Sequence, residues 1–134
     1  MYFRIMSDLN LVCTRVSGNL VISEVLTELQ KMSHHPSFDP NTNYLHDFRQ
    51  IEEIVGSLAE HEKLADFSVS LASDDNTNVV FVIPDDRLSL HKYLEGYSLM
   101  SSQSNRSYWI YPNSKITEAL EKVGLSEFPV IEGD

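Results

Sequence analysis

Two hydrophobic rhythms run along the chain, a period of two that marks strands and a period near 3.6 that marks helices. Residues 2 to 7 and 10 to 16 follow the first rhythm and predict two strands, separated by the turn-like Asp8-Leu9-Asn10. So short a connection predicts an antiparallel hairpin. Ser17-Gly18-Asn19 reads as a turn or bulge, with Leu20 to Ile22 extending the second strand. Ser23 then predicts a helix N-cap, with Glu24 in the first turn, where the helix dipole favours negative charge. Val25, Leu26, Leu29 and Met32 recur at helical spacing. Pro36 disfavours helical geometry at the residue before it, so this helix is expected to end near Ser33, and residues 34 to 42 form a loop.

Tyr44 to Arg49 predicts a third strand. Ser57 and Glu60 form an S-x-x-E capping box, opening a helix that carries Leu58, Leu64, Ala65, Leu71 and Ala72. Asp74 to Asn78 is a polar break, and the unbroken apolar run Val79 to Ile83 suits a strand buried on both faces, stopped by Pro84. Asp85 and Asp86 offer caps for the next helix, whose apolar stripe is Leu90, Tyr93, Leu94, Tyr97 and Met100. Ser107 to Tyr111 predicts the last strand, and Ile116 to Val123 a short helix closed by Gly124, a natural C-cap. The tail after Leu125 is expected to be loosely held.

The order is ββαβαβαβα. Strands separated by helices pair in parallel through right-handed crossovers. The fold class is therefore α/β: a five-stranded mixed sheet ordered 1-2-3-4-5, strand 1 antiparallel, with the helices mainly on one face. The length of 134 residues fits a single domain over 1–134. A chain of this size buries roughly two thirds of its unfolded surface, so it needs neither disulfide nor metal to hold its core.

An opening hairpin ends in Val16-Ser17-Gly18, and a helix then leads to a loop with Pro36, Phe38 and Pro40. Next comes a strand reading Leu45-His46-Asp47-Phe48-Arg49, and Ile116-Thr117-Glu118-Ala119-Leu120 with Gly124-Leu125 closes the domain. In these features, across nearly its whole length, the chain resembles the SpoIIAA-like proteins of the STAS superfamily. The resemblance implies a non-enzymatic protein. Members of that superfamily include anti-sigma factor antagonists, switched by phosphorylation of a serine at a helix start, and regulatory domains of anion transporters. SpoIIAA-like members are also similar to the lipid-binding CRAL-TRIO fold, which implies an apolar ligand. The antagonists' signature around the phosphorylated serine is missing here; Ser57, alone after Gly56, is the nearest positional match.

Charge narrows the choice of partner. Ten basic against twenty acidic residues give a net charge of −10, and the basic residues are scattered singly. Polyanions such as nucleic acids and anionic bilayers reward clustered Lys and Arg, so neither is an expected partner. No stretch reaches the roughly 20 apolar residues of a spanning helix, and Arg4 and Asp8 interrupt the first apolar run, unlike a signal peptide. The single cysteine, Cys13, fits a reducing compartment. The expected location is cytoplasmic, without stable membrane insertion.

Candidate chemistry is sparse. Five histidines invite a metal, but His34 and His35 are adjacent, and His61 has no second histidine four residues on. His46 and His91 show no ligand-like spacing, so no metal or other cofactor is expected. Cys13 sits mid-strand between Val12 and Thr14 as a small apolar residue would. Neither a G-x-S-x-G elbow nor a glycine-rich phosphate loop is present.

Two features remain. Asp47 and Arg49, two apart on a strand, share a face with Leu45. Either they serve the fold, by capping and ion pairing, or Arg49 holds a small polar or anionic ligand beyond the strand ends. Ser57, Asp85, Asp86, Asn113 and Ser114 are expected near that same edge. The second feature is aromatic: Tyr44 and Phe48 on one side of the third strand, and Tyr108 to Tyr111, with Trp109, on both sides of the fifth. If helices leave one sheet face bare, these rings are covered by the N-terminal strands, form a dimer interface, or wall an apolar pocket. The helix bearing Tyr93, Tyr97 and Met100 is then either core or a lid.

The expectation is a non-catalytic binding or regulatory module for an apolar small ligand or a protein partner, with homodimerisation as one form of partnering. The ligand-binding candidates are Asp47, Arg49, Tyr93, Tyr97 and Trp109. The alternative is a phosphorylation-switched regulator of the anti-sigma-antagonist type, with Ser57 as the phosphorylation candidate. A small enzyme using strand-end carboxylates is the third.

Overall fold

The computed structural model describes residues 1–71, 76–101 and 105–131. Its five strands are β1 (Tyr2–Met6), β2 (Leu11–Val21), β3 (Asn43–Val55), β4 (Thr77–Ile83) and β5 (Arg106–Pro112). Its helices are α1 (Ile22–Ser33), α2 (Leu58–Leu71), α3 (Leu88–Met100) and α4 (Ile116–Lys122). The sheet order is β1-β2-β3-β4-β5, with β1 antiparallel to β2 and every other pair parallel. The predicted architecture and order are those observed. Ala72, Asp74 and Asp75, read above as helix end and polar break, lie outside the described residues.

Alternation sorts the sheet into two faces. On one, Val12, Val16, Tyr44, Phe48, Val79 and Phe81 pack against Leu29 and Met32 of α1, Leu64 of α2, and Leu90 and Leu94 of α3. On the other, Leu11, Cys13, Leu45, Val80 and Val82 pack against Ala119, Leu120 and Val123. β4 supplies both faces in turn, which is why it reads as an unbroken apolar run. The aromatic face of β3 is therefore the face that carries three helices, and the bare aromatic face considered above does not exist.

Several local expectations give way to tertiary structure. β2 continues through bulges near Ser17 and Gly18 directly into α1, so the N-cap is Val21 and Ser23 lies inside the helix. The anchor there is Ile22, completely buried. Gly56, at the end of β3, passes so close that a Cβ would stand 2.8 Å from Ile22 Cγ1; only glycine fits. β3 runs six residues past Arg49, paired with β2 to the end, so Arg49 is mid-strand rather than at a strand end.

Asp85 does not cap α3, whose N-cap is Arg87; its carboxylate instead accepts the Ser114 N–H at 2.8 Å. Arg87 donates to the carbonyls of Ile51 and Glu52 at 3.0 and 2.6 Å, tying down the β3 extension. Met100 faces solvent and drops out of the α3 stripe.

α2 opens with the predicted capping box: Ser57 N–H donates to Glu60 Oε1 at 2.9 Å, and Glu60 N–H to Ser57 Oγ at 3.2 Å. After α4 the Gly124 N–H bonds the Glu121 carbonyl and the Leu125 N–H the Leu120 carbonyl, a Schellman closure with Gly124 at φ +78°. The tail beyond, in its described part up to Ile131, is not loose. Ile131 is buried in the α4-side core, Phe128 lies under the Arg49 guanidinium at 4.2 Å, and Arg4 donates to the Val130 carbonyl at 3.0 Å.

Candidate functional site

Between the aromatic sheet face and α1, α2 and α3 lies a cavity of about 70 Å³. Such a space holds roughly five to seven water-sized positions, enough for a small organic molecule. Its aliphatic side comes from the β2–α1 junction and the helices: Val16, Leu20, Ile22, Val25, Leu29 and Leu64. Its floor is aromatic because alternate residues of a strand share a face. The His46 ring stacks with Tyr44 and Phe48 at 5.8 Å each and with Phe81 at 4.9 Å.

His46 is the first unusual group. Its Nδ1 is 2.6 Å from Thr14 Oγ1, and both residues line the cavity. Burial, reinforced by the nearby Arg106 charge, pushes its pKa down to about 3. It is a neutral imidazole at physiological pH.

Polar groups gather at the end of the cavity formed by α2, α3 and β5. Tyr97 OH and Ser68 Oγ are hydrogen-bonded at 2.6 Å, and burial raises the Tyr97 pKa to about 12. Tyr97 also meets Tyr108 edge-on at 6.3 Å. Arg106 donates through Nη1 to the Ser68 carbonyl at 2.8 Å, and its guanidinium lies 5.0 Å from the centre of the Tyr44 ring.

Three polar atoms here are buried without a protein hydrogen-bond partner: Arg106 Nη2, Tyr44 OH and Tyr108 OH. Tyr44 itself is only 4% exposed, and burial raises its pKa, with the Arg106 charge opposing. Arg106 is the one cationic side chain, and no carboxylate stands among the described lining residues.

Tyr93 and Tyr97 line this cavity, as does Arg106. Tyr93 is held by a 2.6 Å hydrogen bond between its hydroxyl and His61 Nδ1, joining α3 to α2. The other candidates lie elsewhere.

Asp47 and Arg49 are on the opposite face of β3. Asp47 Oδ1 accepts from Arg49 Nε at 2.9 Å and from the Arg49 N–H at 3.1 Å, while Oδ2 accepts from Nη2 at 3.0 Å. Arg15 Nε stands 4.0 Å from Oδ2. With Phe128 under Arg49, this bidentate pair has a structural role in seating the tail.

Trp109 is also on that far face, partly exposed, with Nε1 donating to Asn78 Oδ1 at 3.0 Å and Lys122 Nζ 3.7 Å above its ring. Ser57 is exposed, and its hydroxyl is committed to the α2 cap. Cys13 is buried, its pKa pushed up to about 12, far from a reactive thiolate.

Among the described residues, no three His, Cys, Asp or Glu side chains come together as metal ligands. None of the described helices is long and apolar enough to cross a membrane.

Sequence reasoning missed Arg106, His46 and Ser68. Arg106 immediately precedes an aromatic strand, which is a faint signal at most. His46 carries a clearer one, since it falls between Tyr44 and Phe48 in the period-two pattern of β3.

Compared with protein-family models, curated proteins and solved structures, the chain matches none. The SpoIIAA-like resemblance thus rests on the motifs and element order alone.

Proposed function

We propose that this chain is a non-catalytic cytoplasmic binding module whose ligand occupies the cavity between the aromatic sheet face and the three helices. The observation that carries this reading is the cavity's make-up: aliphatic and aromatic walls between the sheet and three helices, with a few polar groups at one end. That is the usual composition of a small-molecule site, mostly apolar with few orienting groups. Catalysis finds little support among the described residues, where the cavity histidine is neutral and bonded to a threonine and the lining holds neither carboxylate nor thiol. Affinity arises from burying the ligand's apolar body against Val16, Leu29, Phe48 and Leu64.

The test is titration of isotopically labelled protein with 1-pentanol, followed through methyl signals in carbon–proton correlation spectra. Saturable shifts confined to Val16, Val25, Leu29 and Leu64 are expected. Shifts that are absent, or that spread over the exposed Leu58, Leu88 and Leu99 instead, would overturn the reading.

A further inference from the structure

The polar end of the cavity goes further and specifies the head group of the ligand. This step rests on the cavity being a binding site. A buried N–H or O–H without a partner forfeits the hydrogen bond it would make in water, and native proteins seldom leave such groups unserved. The residues that carry three of them, Tyr44, Tyr108 and Arg106, line one small cavity; two are tyrosine hydroxyls, able to donate or accept, and the third is a guanidinium, which only donates. A molecule that serves them together needs two or more acceptor atoms close to one another, and it gains most if those atoms are negative, because Arg106 is charged and no carboxylate among the described lining residues answers it.

We infer that the ligand is a small monocarboxylate with a short apolar body, its carboxylate held by Arg106 Nη2 and the Tyr44 and Tyr108 hydroxyls. The two oxygens of a carboxylate, with about four lone-pair sites, accept from one guanidinium N–H and two phenols together, whereas a phosphate ester brings a second negative charge that one guanidinium leaves unanswered. One cationic side chain suits the single charge. The raised pKa of Tyr44 keeps its phenol protonated, as a donor to an anion must be. A cavity of about 70 Å³ limits the body to a few carbons beyond the head. The aliphatic side formed by Val16, Val25 and Leu29 receives it.

The test compares pentanoate, 1-pentanol, pentylammonium and pentyl phosphate on the full chain, with dissociation constants read from the cavity methyl shifts. Pentanoate is expected to bind about tenfold tighter than 1-pentanol, the size of effect a charge-assisted hydrogen bond supplies. Arg106→Met should erase that preference. Arg106 also bonds the Ser68 carbonyl, so its loss weakens the fold as well, and Tyr44→Phe provides the second arm. It removes a hydroxyl with no protein partner and keeps the ring, so the melting temperature should hold or rise. Pentanoate should then weaken severalfold while 1-pentanol stays within about twofold.

If 1-pentanol binds and pentanoate binds no tighter, the carboxylate assignment falls and the cavity reading stands. Tightest binding of pentylammonium or pentyl phosphate has the same consequence. If none of the four moves the cavity methyls, both fall.

Discussion

His46 shows how one residue can be ordinary in sequence and singular in place. It shows no ligand-like spacing to the other histidines, yet the β3 alternation sets it in a stack of Tyr44, Phe48 and Phe81, with Thr14 as its hydrogen-bond partner. Burial first, and then Arg106, holds its pKa near 3, against about 6.5 in an unfolded chain. The unfolded state therefore binds more protons in this range, and stability must rise with pH. The contribution is complete above about pH 6.5 and is lost as pH falls towards about 3, with a slope of up to about 1.4 kcal/mol per pH unit. Urea unfolding from about pH 7 to about pH 4.5 checks this, with His46→Gln as the reference. Acidic residues titrate alike in both proteins, so the difference between the two curves isolates His46. The wild type should lose stability more steeply on acidification, and parallel curves would contradict the neutral imidazole.

Among the elements, the C-terminal segment departs furthest from what its composition suggests. Short, acidic and broken by Pro129, it reads as a loose tail; it is in fact a strap across the α4 side, fixed by Ile131, by Phe128 on Arg49 and by the Arg4 bond to Val130. Ile131→Ala should cost about 2 kcal/mol in urea unfolding, the low end for a buried isoleucine because a chain end relaxes easily. A loss below about 0.5 kcal/mol, the scale of a surface change, would show that the strap lies outside the cooperative core. The elements that were legible in sequence are those whose signal is local. The period of two in β2 and β3, the apolar run of β4, the Ser57–Glu60 box and Gly124 all act within a few residues. What misled was long-range. Ser23 and Asp85 have the right side chains for caps, but Ile22 starts its helix early by burial, and Asp85 is taken by Ser114. The site was half legible for the same reason. Tyr93 and Tyr97 fall on an apolar stripe that must face something, whereas Arg106 acquires its meaning only when the sheet order sets β5 beside β4, within reach of α2 and Tyr44.

The whole molecule carries its charge unevenly between interior and surface. Among the described residues one carboxylate, Asp47, is buried and is matched by Arg49 and Arg15, and one guanidinium serves the cavity, while the chain as a whole carries a net charge of −10. Like charges at that density repel one another more in the compact chain than in the expanded one. Surface pairs such as Lys31–Glu28 offset little of this, since exposed ion pairs contribute about 0–1 kcal/mol. Added salt screens the long-range repulsion, with a Debye length falling from about 30 Å at 0.01 M to about 10 Å at 0.1 M. It acts far less on the Asp47–Arg49 contact, where the carboxylate is 4% exposed and the atoms are 2.9 Å apart. Sodium chloride should therefore raise the melting temperature by a few degrees between about 0.01 M and about 0.3 M, most steeply at the low end. Sodium sulfate at equal ionic strength should follow the same curve there if screening is the cause, and rise above it only at higher concentration, where exclusion from the protein surface adds to burial. A melting temperature that falls with sodium chloride would mean that local attractions outweigh the net charge. The stability of this strongly acidic chain would then rest on surface pairing rather than on the two apolar faces of its sheet.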